Sequence, residues 1–369
     1  MSTYQIIGIL FAIMGTITCG SLAFEWSKRK TLDLDYLPIT GILVFIIRWM
    51  VGILFIYSGF VKANDYIGFA FKLEEYFTVF GVNFPGLKGF FDLFIPLAQP
   101  MAWFIAVFEI ALAVALMFGW QMNLTAWLTM LMMIFFTVLT GYSHVTGSVT
   151  DCGCFGDALH LEPWESFVKD IILTGALIPV FLMRKSIRPI PTAKIAGYLT
   201  GITFLVTGVY SYYCHEHLPR IDYRAYKIGV NLADCTTIPG PEGYPKCKDW
   251  DPYFPDGDIA LFEGNTLMIF MYNAEKAPEE PVKHTEEVFQ SLNGTGVKVV
   301  GATATGPSRM KTLIPEMGLT YPFAYLDQTT LKTVVRSNPG YVLLKQGIVI
   351  KKWHHNDAPS KTEILELLK

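Results

Sequence analysis

The chain has 369 residues and a net charge of −3, with no basic block, which argues against nucleic acid as a partner. Hydrophobic residues make up 52% of it and charged residues 17%, against about 25% charged in an ordinary soluble domain, and mean hydropathy is +0.37. The excess is uneven: residues 1–214 are dominated by Leu, Ile, Phe, Met and Trp, whereas residues 215–369 read as a soluble domain, so a membrane half is expected before a water-exposed half.

A bilayer core of about 30 Å takes roughly 20 apolar residues per helix, and six segments qualify: Ile6–Phe24, Gly41–Val61, Met101–Gly119, Leu124–Gly141, Phe167–Met183 and Ile195–Tyr213. The first has no basic residues before it and Lys28, Arg29 and Lys30 after it, so it reads as a retained helix and not as a signal peptide. Those cations, with Arg184, Lys185, Arg188 and Lys194 after the fifth segment, are all cytoplasmic only if both termini lie outside. The expectation is therefore a membrane protein with six spans and its soluble domain outside the cytoplasm.

The outer loop after the second segment contains "AFKLEEYFTVFG", which has apolar residues at helical spacing and reads as an interfacial helix with Lys72, Glu74 and Glu75 towards water. Glu109 lies near the middle of the third segment, where a carboxylate is costly. It is either a protonated side chain bonded to a neighbouring helix or a group that handles protons or faces a quinone. Arg48 is close enough to the cytoplasmic end of the second segment to snorkel, which makes it structural.

"DCGCFGD", residues 151–157, falls in the outer loop before the fifth segment, on the side where disulfides persist. Three readings stay open for Cys152 and Cys154. They could exchange electrons as a strained and easily reduced pair, with His144 or Lys62 lowering a thiol pKa. They could form a static bridge, for which Cys214 is the nearest partner by depth. They could hold a soft metal with His144 or His160, although structural metal sites favour wider spacing and four ligands. No metal ligand set is assigned.

"RWMVGILFIYSGFVKANDY", "FEIALAVALMFGW" and then "DCGCFGD" before another helix resemble the DoxX-like membrane family, and more narrowly its methylamine-utilisation MauE branch. The resemblance covers about residues 40–185 and implies a four-helix membrane domain. It also implies a Cys-Gly-Cys-Phe-Gly loop, matched by Cys152 to Gly156, a Lys and a Glu at the positions of Lys62 and Glu109, and a link to periplasmic disulfide or redox chemistry.

In the soluble half, Cys235 and Cys247 flank "TTIPGPEGYPK" and are expected to close a structural disulfide. His215 and His217, on either side of Glu216, read as solvated interfacial residues, and His354 and His355 as surface residues of a hairpin. From Leu267 onwards strands and helices alternate, ending in a hairpin that turns at Gln346-Gly347 and a helix capped by Ser360, an α/β sandwich. That order resembles the thioredoxin fold over about residues 256–369, with Pro339 where the family keeps a cis-proline and Asn338 beside it as a docking residue. The resemblance departs at "MYNAEKAPEEPVKH", which has no cysteine where thioredoxins carry Cys-x-x-Cys, so this domain implies docking and not exchange.

The expected domains are an added helix and cytoplasmic loop (1–40), a four-helix DoxX/MauE-like core (41–185), a sixth span (186–214), a Pro/Gly-rich linker (215–255) and a redox-inactive thioredoxin-like domain (256–369). The leading expectation for function is thiol–disulfide redox or protein maturation through Cys152 and Cys154, with Glu109 for protons and Lys62 as thiolate or substrate partner. The expected partners are the lipid bilayer and a periplasmic protein, and a quinone is the candidate acceptor. The alternative is a non-catalytic envelope scaffold with structural cysteines.

Overall fold

The computed structural model describes residues 38–149, 153, 155–159, 161–238, 247, 249–255, 257 and 259–369. The first apolar segment, with Cys19, lies outside the described residues. The chain forms two units, Met1–Tyr212 and Tyr213–Lys369.

Among the described residues, the helices of the first unit are α1 (Pro38–Asn64), α2 (Tyr66–Asn83), α3 (Lys88–Phe94), α4 (Ala98–Phe118), α5 (Met122–Thr146), α6 (Pro163–Leu182) and α7 (Ala193–His217), whose last turn belongs to the second unit. Asp65 separates α1 from α2 and caps α2 by accepting from the Gly68 amide at 3.0 Å. Gly119, in the left-handed region, closes α4 ahead of the short turn into α5. Pro163 opens α6, and the Glu165 side chain reaches back to the Glu162 amide at 3.1 Å.

The contact between α1 and α4 is close because of two glycines. A Cβ on Gly52 would lie 2.3 Å from the Met117 side chain, and one on Gly59 would lie 2.6 Å from Ile110 Cγ1. Small residues seven apart share a helix face and let two backbones approach, the usual device for packing helices where lipid supplies no hydrophobic drive. Val44, Ile47, Val51, Phe55, Leu116, Leu173 and Leu177 fill the space between α1, α4 and α6.

Among the described residues four helices are long and apolar enough to cross a membrane: Gly41–Asn64 of α1, α4, α5 and α7. Their large side chains stay exposed where lipid would cover them, as at Ile53, Leu131, Val138, Ile202 and Val209. The fifth expected span is a helix of 20 residues, but its first half carries Glu165, Lys169 and Asp170 and its composition leaves it outside that set. Arg48 does not snorkel. It is 3% exposed and donates to the Met117 carbonyl at 2.7 Å, so it satisfies the end of α4 from inside the bundle.

The second unit is built on a five-stranded mixed sheet in the order β3-β2-β1-β4-β5. Its strands are β1 (Asn265–Met271), β2 (Val297–Thr303), β3 (Phe323–Tyr325), β4 (Gly340–Lys345) and β5 (Ile348–His354). β1 runs parallel to β2 and antiparallel to β4, and β3 extends the parallel side. β1 is covered on both faces, which is why "LMIFM" is an unbroken apolar run. Leu267, Ile269 and Met271 share one buried cluster with Val299, Tyr341 and Trp353, whereas Met268 and Phe270 share the other with Val300, Val342 and Leu344.

Among the described residues five helices accompany the sheet: α8 (Leu232–Thr237), α9 (Glu279–Ser291), α10 (Pro307–Met317), α11 (Gln328–Val334) and α12 (Lys361–Leu368), the last capped by Ser360 through the Glu363 amide at 3.2 Å. Residues 215–255, expected as a linker, are part of this unit. Tyr226, Leu232, Cys247 and Trp250 are buried with Phe270, and Asn231 and Tyr253 bridge to Ile348 and Tyr325. Scattered aromatic and aliphatic residues among Pro and Gly hide the apolar content of such a segment.

Candidate functional site

Close packing of α1 on α4 brings together the two ionisable residues singled out within them. Lys62, one turn beyond Gly59, donates to Glu109 Oε2 at 2.8 Å, and the two side chains are 1% and 3% exposed. The ammonium also donates to Ser58 Oγ at 2.5 Å and lies 5.1 Å from the centre of the Phe136 ring. A buried charge survives only when it is paired and hydrogen-bonded, so each of these residues makes the other tenable. The Lys62 charge is therefore matched inside the helix bundle by Glu109.

A second pair stands beside the first. Lys169 Nζ meets Asp170 Oδ1 at 2.5 Å, and Asp170 Oδ2 accepts from the Thr140 hydroxyl of α5 at 3.1 Å. Both pairs line one cavity, walled otherwise by Leu54, Phe55, Met133, Phe136 and Leu173. The space open to a water-sized molecule is about 20 Å³, enough for a water and far too small for a ring.

One residue of the loop lines the cavity. Phe155, the aromatic residue of the Cys-Gly-Cys-Phe sequence, is buried, lines the cavity, lies under Lys169 Nζ at 5.1 Å and meets the Tyr57 ring at 5.8 Å. Gly153 sits against α2 with φ +67°, and a Cβ there would come within 3.3 Å of Lys72 Cγ. Both its conformation and its neighbour favour glycine. Asp151, Cys152, Cys154 and His160 lie outside the described residues. His144 is exposed and stacks on Phe167 with ring centres 6.0 Å apart.

Residues 40–183 match the family model described as methylamine utilisation protein MauE. No curated protein and no solved structure matches the chain. The matched stretch is a MauE-type membrane domain, and with its apolar helices it makes this a membrane protein in contact with lipid. Every residue of both ion pairs, and the Cys-Gly-Cys-Phe loop, falls within the MauE-type domain. Sequence reasoning chose Lys62 and Glu109 singly, without their pairing, and passed over Lys169 and Asp170. The signal for the latter was present, two adjacent charges inside an apolar helical segment, and it was obscured by placing them at the end of a span.

In the second unit Cys235 is bonded to Cys247, with Cα atoms 5.2 Å apart, and Cys214 is buried. The Asn338–Pro339 peptide is cis. Neither residue offers a free surface: both are buried, and Asn338 Nδ2 donates to the Asn273 carbonyl at 2.8 Å. The Pro339 carbonyl accepts from the Ser337 hydroxyl. His354 is not a surface residue of the hairpin, and His355 is only partly exposed. His354 is 5% exposed, its ring centre is 4.0 Å from that of His355, and burial, with the neighbouring histidines, pushes its pKa down to about 3. His217 and Glu216 are likewise engaged, by Asp357 at 2.8 Å and the Asn356 amide at 2.9 Å.

Lys352 reaches Asp222 at 2.8 Å and the Val334 carbonyl at 2.7 Å, and burial lowers its pKa to about 7. Burial alone would raise the Asp222 carboxyl, but Arg224 and Lys352 beside it hold it well below the usual carboxylate range. Among the described residues no group of three or more His, Cys, Asp or Glu is placed to hold a metal ion.

Proposed function

We propose that this protein is a MauE-type membrane component of extracytoplasmic thiol–disulfide exchange, in which Cys152 and Cys154 are the exchanging pair. Oxidation of that dithiol to a disulfide releases two electrons and two protons, and a quinone taking up both becomes the quinol. Glu109, held by Lys62, handles protons beside the loop. The cavity at Glu109 has room for water and not for a quinone ring, so the acceptor approaches from the lipid side. One observation supports the reading above the others: Phe155, next to Cys154 in sequence, lines a cavity that two ion pairs also line.

The wider frame is part of the proposal. The chain would have six spans in a bacterial inner membrane, with residues 1–40 and 186–214 adding one each to the core at 41–185, and the second unit in the periplasm. The sheet order and the hairpin after Pro339 favour a thioredoxin-like domain over residues 256–369. It would dock a partner by surfaces other than the buried Asn338 and Pro339. The matching family is named for methylamine utilisation, and a maturation role of that kind is what we extend to this chain.

Reconstitution with a soluble quinone tests the redox step directly. The reduced dithiol should be lost, with quinol formed in equal amount, and Cys152→Ser should abolish both. Quinol formation unchanged in that variant would overturn the proposal. The second reading, a scaffold with structural cysteines, is favoured by the absence of cysteine from residues 271–284. It predicts that Cys152→Ser lowers stability and changes no turnover.

A further inference from the structure

Lys169 and Asp170 have no part in the scheme above, yet their geometry is unusual. Adjacent residues on a helix point about 100° apart and do not normally face one another. A lysine in a membrane helix ordinarily extends its ammonium towards the interface. Lys169 instead folds back along α6 to its neighbour's carboxylate, over the Phe155 ring and into the cavity wall.

Exposure drops sharply after the first of these charges. The Lys169 side chain is 27% exposed and Asp170 is 2% exposed, and across the cavity Lys62 and Glu109 are 1% and 3% exposed. Lys169 is thus the one member of the four that reaches the surface. Between the pairs lies space for a water, which needs two to four polar partners to be held. Ser58, Lys62, Glu109 and Asp170 line that space and supply them. Two independent interhelical clamps would need no shared polar cavity and no side chain leading out of it.

We propose that Lys169 and Asp170 are the proton port of this site, connecting Glu109 to the surface through water held in the cavity. This rests on the reading of Glu109 as a proton-handling group. A proton leaving the Glu109 carboxyl passes to the water as that water gives one to the Asp170 carboxylate, so the water is unchanged. The partly exposed Lys169 ammonium then gives a proton to solvent and takes the one on Asp170, which restores the ion pair. Lys169 also holds the Asp170 side chain through their ion pair at the cavity wall. Other charged groups of this region, among the described residues, include the Lys72–Glu75 pair of α2, close to Gly153, and Asp157, two residues after Phe155.

The test is a pH jump on the full chain in lipid nanodiscs, following the infrared carboxyl band that Glu109→Gln removes. Wild type should show that band equilibrating quickly, and Asp170→Asn should slow it roughly 100-fold, the scale of a lost proton-transfer group. Lys169→Gln, at a partly exposed position, should slow it by a smaller factor and carries the test if Asp170→Asn does not fold. Glu74→Gln should leave the rate unchanged. Equal rates in wild type and both variants, or no Glu109 band at any pH the protein survives, would overturn the port. Thiol trapping of Cys152 on the same samples separates the two claims. Inert thiols with Asp170-dependent exchange would sink the redox reading alone, and active thiols with Asp170-independent exchange would sink the port alone.

Discussion

Replacing Lys62 by Met should destabilise the membrane domain far more than replacing Lys62 and Glu109 together. At 2.8 Å and an effective dielectric constant of about 20, the attraction is about 6 kcal/mol, and the desolvation of two buried ions cancels much of it. Lys62→Met leaves the Glu109 carboxylate buried without its cation, and the expected loss is about 3–5 kcal/mol. Lys62→Met with Glu109→Gln removes both charges and keeps the volumes close, so it should fall within about 1 kcal/mol of wild type. The coupling between the two substitutions is then about 3 kcal/mol or more, well above what independent sites show. Reversible unfolding in mixed micelles with increasing dodecyl sulfate, followed by helical circular dichroism, measures all four corners of the cycle. Additive losses, or a double variant as unstable as Lys62→Met, would refute the argument that each charge is buried only because the other is there.

Further expectations concern packing and pH. Gly59→Leu should cost about 1–3 kcal/mol through overpacking, because even its Cβ would meet Ile110 at 2.6 Å. The same micelle titration checks it, and no loss would mean that α1 and α4 are not in close contact. His354 takes up a proton near pH 6.5 when unfolded but only near pH 3 when folded. Its contribution is therefore full above about pH 6.5 and is lost as pH falls towards 3, so His354→Gln should flatten the acid loss of protection in amide exchange at β5. Lys352, held down to about 7 from 10.5, binds a proton more readily when unfolded across that window. Stability should therefore rise from pH 7 to 10 and lose that slope in Lys352→Met, read from amide exchange at β4 in the full chain. Asn338→Ala should cost about 1–3 kcal/mol by leaving the Asn273 backbone unsatisfied, and unchanged exchange around Asn273 would count against it.

Much of the architecture was legible because it is written in local patterns. Apolar runs gave α1, α4, α5 and α7 to within a few residues, and Gln346-Gly347 marked the β4–β5 turn, where both residues have positive φ. Glu109 stood out because a carboxylate in the middle of an apolar helix needs a partner. Which partner it has was not legible: 47 positions separate it from Lys62, and the link depends on the close approach allowed by Gly52 and Gly59. The same holds for Asp170 with Thr140 and for Arg48 with the Met117 carbonyl, both made across helices. His354 was misread for a related reason. A hairpin end is normally solvated, but the residues that follow this one are held by groups far away in sequence, His355 by Ser337 and Asn356 by Glu216.

The central claim is that the Cys-Gly-Cys loop exchanges electrons over a buried acid. Its most direct test is acid-quenched thiol trapping of Cys152 and Cys154 in native membranes, with respiration running and then blocked, in wild type and in Glu109→Gln. The account predicts that the redox state of the pair follows the quinone pool in wild type and responds slowly or not at all in the variant. A pair fixed in one state under both conditions would contradict it and make the loop a structural element of the MauE-type domain.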